Sequence, residues 1–226
     1  MKLLAIDTSL SACSAAVAEL GRTKENLFIQ TEEIGRGHAE KIMGMVDGVM
    51  AESSKGFSDL DRIVVNVGPG SFTGLRVGLS IARGFGLVSG KPVVGVTTLE
   101  CIASEILATR SCSGDLLVVL DARRDEVYCQ QFKRDGSPAD EARVSTLQEL
   151  AKTLGSDTYL AGSAAEALGH EAGLPSERIL GQNTVASIEY IARCGFKADP
   201  EERPPVPLYL RKPDAKPQQK GRIRRQ

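Results

Sequence analysis

The chain has 226 residues, room for one large domain or two small ones, and 42% hydrophobic with 25% charged residues supports a globular core. A net charge of −1 leaves no global basic field for nucleic acid, and 4% aromatics without tryptophan leave little for base- or sugar-stacking platforms. The five cysteines, Cys13, Cys101, Cys112, Cys129 and Cys194, form no C-x-x-C pair, which argues against a disulfide framework or zinc knuckle and for buried thiols in a reducing cytosol.

In chain order, residues 3–7 read as a buried strand ending in a polar Asp-Thr-Ser corner, 12–20 as a returning strand and 27–33 as a third. The apolar run before Asp7 is far short of a signal-peptide core, and no run reaches the length of a membrane span, so a cytoplasmic protein without membrane contact is expected. Ile42, Val46 and Val49 fall at helical spacing within an amphipathic helix over about 38–52. A buried strand over 63–67 runs into Gly68-Pro69-Gly70-Ser71 and a helix over about 73–89, followed by a strand over 93–96. Thr97 and Glu100 have capping-box spacing for a helix to about 109. Strands over 116–121 and 126–132 pair across a polar turn; a helix over 147–154, a strand over 158–161, a short helix over 164–168 and a helix over 185–194 complete the order.

Hairpins first and alternating strands and helices later imply a mixed α/β architecture. A strand ending in Asp before a hairpin occurs twice, at Asp7 and Asp121, which suggests two lobes of similar plan: 1–100 and 101–211. From Pro200 the chain is proline-rich and expected to be extended and poorly packed, and Lys212, Lys216, Lys220, Arg222, Arg224 and Arg225 stand against the single acid Asp214. Residues 212–226 are expected to form a disordered basic tail, with nucleic acid as one use for it.

The segment Gly68-Pro69-Gly70-Ser71-Phe72-Thr73-Gly74 joins a buried strand to a helix, where glycines permit close backbone approach and a helix N-terminus favours an anion. It is neither G-x-G-x-x-G nor a P-loop, and Pro69 lacks an N–H for a phosphate; a tight turn and an anion site both remain open. Gly74, Gly78, Ala82 and Gly86 then form a stripe almost without side chains, which needs close approach by a neighbour to offset about 0.5–1 kcal/mol per helical glycine. The preceding helix adds Met43, Met45 and Met50, residues suited to core filling or to adaptable binding surfaces. Together the two helices suggest a helix-to-helix protein interface. The two histidines, His38 and His170, make no i, i+4 pair, since position 42 is Ile42. Ser71 has no partnered His and Asp at a recognisable spacing. Asp7 and Asp121 fit equally as ligands flanking a shared cleft or as acids capping their own turns.

Ile6-Asp7-Thr8-Ser9, the Gly68-to-Gly78 block, Gly95-Val96-Thr97-Thr98-Leu99, Asp121-Ala122-Arg123-Arg124-Asp125-Glu126-Val127-Tyr128 and Tyr209-Leu210-Arg211 resemble, in order, the TsaB (YeaZ) family. The resemblance implies a two-lobed actin/Hsp70/sugar-kinase-like fold. It also implies a non-catalytic partner of the TsaD-type protein that transfers threonylcarbamoyl to N6 of adenosine 37 in tRNAs reading ANN codons. The His-x-x-x-His metal pair of TsaD-type proteins is reduced here to His38, so no metal site and no catalytic residue are implied. The implied partner interface is His38, Ile42, Met43, Val46, Met50, Gly74, Val77, Gly78, Ile81 and Ala82, shared with a homodimer, and a TsaE-like ATPase is expected in a larger complex. Asp7, Thr8, Ser9, Gly70, Ser71 and Asp121 correspond to a vestigial nucleotide site. No cofactor is required by this reading, and weak or interface-shared ATP or ADP is compatible with it. Contact with tRNA would be indirect, the basic tail being its candidate point. The competing readings are an active actin-fold ATPase or glycoprotease-like peptidase, and a stand-alone nucleotide- or RNA-binding module.

Overall fold

The structure, a computed structural model, describes residues 1–21 and 25–211; the basic tail lies outside the described residues. Its first sheet is built from β1 (Lys2–Asp7), β2 (Ala12–Glu19), β3 (Asn26–Glu33), β4 (Arg62–Asn66) and β5 (Val93–Val96), with α1 (His38–Glu52) and α2 (Phe72–Ser89) in the connections. After α3 (Thr98–Thr109) comes a second sheet of β6 (Leu116–Asp121), β7 (Val127–Phe132), β8 (Arg143–Ser145), β9 (Tyr159–Ala161) and β10 (Ile179–Gly181). Helices α4 (Leu147–Thr153) and α5 (Ala165–Glu171) belong to this half, and α6 (Ile188–Lys197) closes the order.

The sheets share one plan. The first runs β3-β2-β1-β4-β5 and the second β8-β7-β6-β9-β10, each with five strands. In both, the first strand pairs antiparallel with the second and parallel with the fourth. Gly68, shortly after β4, and Gly162, directly after β9, both have φ of 104°, a left-handed conformation in which a side chain would be strained. The same backbone turn therefore leaves equivalent strands of the two halves.

The core lies in three apolar layers. Leu4, Ile6, Ile63 and Val65 on one face of the first sheet meet α1 and α2. Leu3, Ala5 and Val64 on its other face meet α3 and α6, and Leu116, Val118 and Leu120 of the second sheet join this same cluster. The outer face of the second sheet packs on α4 and α5. Alanines in β2 (Ala15, Ala16, Ala18) keep both faces of the strand low enough for helices to close on each.

The expected capping box of α3 is present: the Thr97 amide donates to Glu100 Oε1 at 2.9 Å and the Glu100 amide to Thr97 Oγ1 at 3.1 Å. Strands β8 and β10 were not legible as strands. Each has three residues, too few to display a period, and each takes its form from the strand it pairs with.

Past α6 the chain runs as an extended strap beside the first sheet. The Gly95 amide donates to Arg203 O at 2.9 Å and the Leu208 amide to Val67 O at 2.8 Å. Arg76 Nε donates to Tyr209 OH at 3.2 Å, and Arg211 reaches the second half, donating to Ala122 O at 2.7 Å and pairing with Glu126. The proline-rich segment is thus extended as expected but, contrary to the expectation of poor packing, bonded to both halves up to Arg211.

Candidate docking surface

The two aspartates that end β1 and β6 make the same local turn. Asp7 Oδ1 accepts from the Ser9 amide at 2.8 Å, and Asp121 Oδ1 from the Arg123 amide at 2.7 Å. In this structure both acids cap their own hairpins. Their surroundings differ. Asp121 is exposed, and Arg123, Arg124 and Asp125 follow with φ of 62°, 57° and 60°. Asp7 is buried, and burial pushes its carboxyl above the ordinary range against the lowering effect of hydrogen bonds from Ser9 and Asn66.

Around Asp7 the polar groups that would face a phosphate are engaged within the chain. Thr8 Oγ1 donates to Gly74 O at 2.7 Å, the Ser71 amide to Ser9 O at 2.6 Å, and Asn66 Nδ2 to Ser9 Oγ at 3.0 Å. A Cβ at Gly70 would collide with Ser9 O, and one at Gly74 with Thr8 O. The Gly68–Gly74 block is thus a tight turn whose glycines admit the first hairpin, and Ser71 Oγ caps α2 by accepting from the Gly74 amide at 3.3 Å. Five of the residues expected to mark a vestigial nucleotide site (Asp7, Thr8, Ser9, Gly70, Ser71) are brought together here; Asp121 sits on the other hairpin.

The glycine stripe on α2 has the same explanation, which corrects the expectation of a partner helix against it. A Cβ at Gly78 would stand 2.6 Å from Thr8 Oγ1, and one at Gly86 would meet Val93. The neighbour that fills the stripe is the chain's own first sheet. Gly74, Gly78 and Ala82 are therefore buried, as are Ile42, Val46 and Met50 on the sheet side of α1, and none of the six can be the centre of an interface. His38 is half-buried and its Nε2 donates to Leu10 O at 2.9 Å, which ties the start of α1 to the β1–β2 turn. Beside it, burial pushes the Cys13 thiol up to about 11, so this cysteine stays protonated at neutral pH.

Of the other expected interface residues, Met43 is exposed, and Val77 and Ile81 are half-buried against the core beneath them. Met43 and Ile81, but not Val77, border an apolar groove of about 720 Å³ between α1 and α2, lined also by Phe57, Phe85 and Val88. Phe57 and Phe85 stack there with ring centroids 4.7 Å apart. Next to the groove Leu87 is 86% exposed and Val88 89% exposed. Large apolar side chains so open to water mark a surface that gains by being covered. Sequence reasoning missed Phe57, Phe85, Leu87 and Val88. The signal was present in Ile81, Phe85 and Val88, whose i, i+4, i+7 spacing puts a second apolar stripe on α2.

Among the described residues no group of three or more His, Cys, Asp or Glu side chains is placed to hold a metal ion. Nor is any helix among them long and apolar enough to cross a membrane.

The family described as "TsaD: tRNA N6-adenosine threonylcarbamoyltransferase" matches residues 28–195. An uncharacterised protein of Mycobacterium tuberculosis is 34% identical over 222 residues, covering 95% of this chain and 94% of that one. The Escherichia coli tRNA threonylcarbamoyladenosine biosynthesis protein TsaB is 35% identical over 135 residues, covering 60% of this chain and 56% of that protein. A crystal structure from Pseudomonas aeruginosa, described as similar to peptidase YEAZ, superposes with a TM-score of 0.76 at 26% identity over 93% of this chain and 99% of its own. With two like-planned sheets and their flanking helices, the chain has the actin/Hsp70/sugar-kinase-like fold and belongs to the TsaD-type family, within it to the TsaB (YeaZ) group.

Proposed function

We propose that this chain takes part in forming N6-threonylcarbamoyladenosine at position 37 of tRNAs reading ANN codons, as the non-catalytic partner of a TsaD-type threonylcarbamoyltransferase. The observation that carries the reading is the exposed apolar groove between α1 and α2, on a chain whose family is that of the transferase. The relative from Escherichia coli is named for the same biosynthesis. In this reading the TsaD-type subunit covers Met43, Ile81, Phe85 and Val88. A second copy of the chain takes the same face in a homodimer, a TsaE-like ATPase joins the assembly, and the complex works in the cytoplasm. No cofactor is asked of this chain, which accords with the engagement of the Asp7–Ser9 groups by its own residues.

The test is capture of the TsaD-type protein of the same organism by purified wild type, Val88→Arg, Ile81→Arg and, as a control on the opposite outer layer, Glu166→Arg. A charge forced into a desolvated apolar contact weakens binding by roughly a hundredfold or more. Wild type and Glu166→Arg should bind, and tRNA modification should follow binding. Equal binding by all four overturns the surface, and no binding by wild type overturns the partner. ATP or peptide hydrolysis by the isolated chain would replace this reading with an enzymatic one.

A further inference from the structure

We infer that the second half carries a binding site for a small phosphate-bearing anion, at the opposite end of its sheet from the Asp121 hairpin. Where the linker from α3 enters β6, beside the start of β9, Arg110, Ser111, Ser113, Arg134 and Tyr159 line a cavity of about 350 Å³. Among the described residues neither the Arg110 nor the Arg134 guanidinium has a hydrogen bond or ion pair, and no acid is among the cavity's lining residues.

The neighbouring acids are engaged elsewhere. Asp115 accepts from Gln131 Nε2 at 3.0 Å, and Asp135 accepts from the Ser137 amide at 2.9 Å and its hydroxyl at 2.6 Å. Asp157 pairs with Arg178 at 3.7 Å, and that guanidinium lies 4.7 Å from the Tyr159 ring centroid, so the pair beside the wall adds no net charge. The hydroxyls are held in place, Ser113 Oγ lying 2.8 Å from Tyr159 OH, while Cys112 Sγ donates to Gly114 O at 3.1 Å and folds the linker around the cavity. Gly114 allows this, because a Cβ there would strike Asp157 O.

Two unpaired guanidinia with three hydroxyl groups and no lining acid are suited to a tetrahedral oxyanion, which accepts charge-assisted hydrogen bonds from several sides. The volume exceeds what one phosphate fills and leaves room for a small sugar ester. Arg110 also sits where the α3 C-terminus favours a cation, but that accounts for one arginine and gives Arg134 nothing to do.

The experiment is an amide NMR titration of the full chain with inorganic phosphate and, separately, ribose 5-phosphate at constant ionic strength, with chloride as control. Saturable shifts at Ser111, Cys112 and Ser113 are expected. They should weaken roughly tenfold in Arg134→Ala and vanish in the Arg110→Ala/Arg134→Ala double variant. Phosphate should also raise the unfolding midpoint of wild type but not of the double variant. Tighter binding of ribose 5-phosphate identifies an ester as the ligand; equal binding identifies the free ion. Shifts that chloride reproduces, that never saturate, or that persist in the double variant overturn the site.

Discussion

Asp7 is the residue at which burial and charge conflict most directly. Its carboxyl caps the first hairpin from a fully enclosed position, and burial holds its folded-state pKa above the ordinary value. For a group raised on folding, the favourable linkage is complete at pH below its unfolded value and is lost as pH rises through the folded one. Asp7→Asn keeps an oxygen for the Ser9 amide and removes the buried charge. The variant is expected to match or exceed wild type in urea unfolding at neutral pH, with the difference narrowing once the pH falls below the ordinary carboxylate range. A wild type clearly more stable at neutral pH would show that the ionised form is stabilised beyond the cost of burial. The glycines around this acid show what sequence spacing conveys. Gly74, Gly78 and Gly86 were legible as a stripe that something must fill, but spacing along one helix does not say what fills it. The occupant of Gly74 and Gly78, Thr8, lies far off in sequence, and that of Gly86, Val93, stands across the turn after α2; both meet the stripe only once β1 and β5 have joined the sheet.

Helix α6 shows the same dependence on distant groups at the scale of an element. Its last carbonyls have no partner within the helix, and Arg62, at the first position of β4, supplies one: the guanidinium donates to Gly195 O at 2.6 Å and Ala198 O at 2.7 Å, itself only 8% exposed. Gly195 lets the helix lie directly on β4, because a Cβ there would meet the Val64 side chain. Arg62→Met keeps much of the apolar stem but leaves buried carbonyls unsatisfied, at about 1–3 kcal/mol each. A loss of roughly 2–4 kcal/mol in chemical denaturation is the expected outcome, and a loss within 0.5 kcal/mol would mean that water or a shifted backbone takes over the cap. Elements with a period and a cap of their own, such as α3 with Thr97 and Glu100, were readable from sequence. Strands β8 and β10 were not, because their form comes from pairing with β7 and β9. Arg62 as a helix cap was equally hidden, since 133 residues separate it from Gly195.

Over the whole molecule the two halves repeat one strand plan, announced in sequence by the aspartates that end β1 and β6, yet they do not bury separate cores. The layer between the sheets is a single cluster: Leu3 and Val64 from the first sheet, Leu116 and Val118 from the second, with Ile102 of α3 and Ile191 of α6 between them. Neither sheet could cover its inner face if the other half unfolded, and the strap from Arg203 to Arg211 crosses from Gly95 to Ala122 over the same junction. Separate unfolding of one half would therefore expose apolar surface on both, so a single cooperative transition is expected. Native-state hydrogen exchange tests this directly. The slowest amides of β1 and β6 should report the same opening free energy, and Ile102→Ala, which removes a fully buried side chain from the shared layer, should lower both by the same amount, about 2–5 kcal/mol. Two distinct opening energies, or a variant that lowers one sheet and spares the other, would mean that the halves fold as separate units and that the middle layer is only an interface between them.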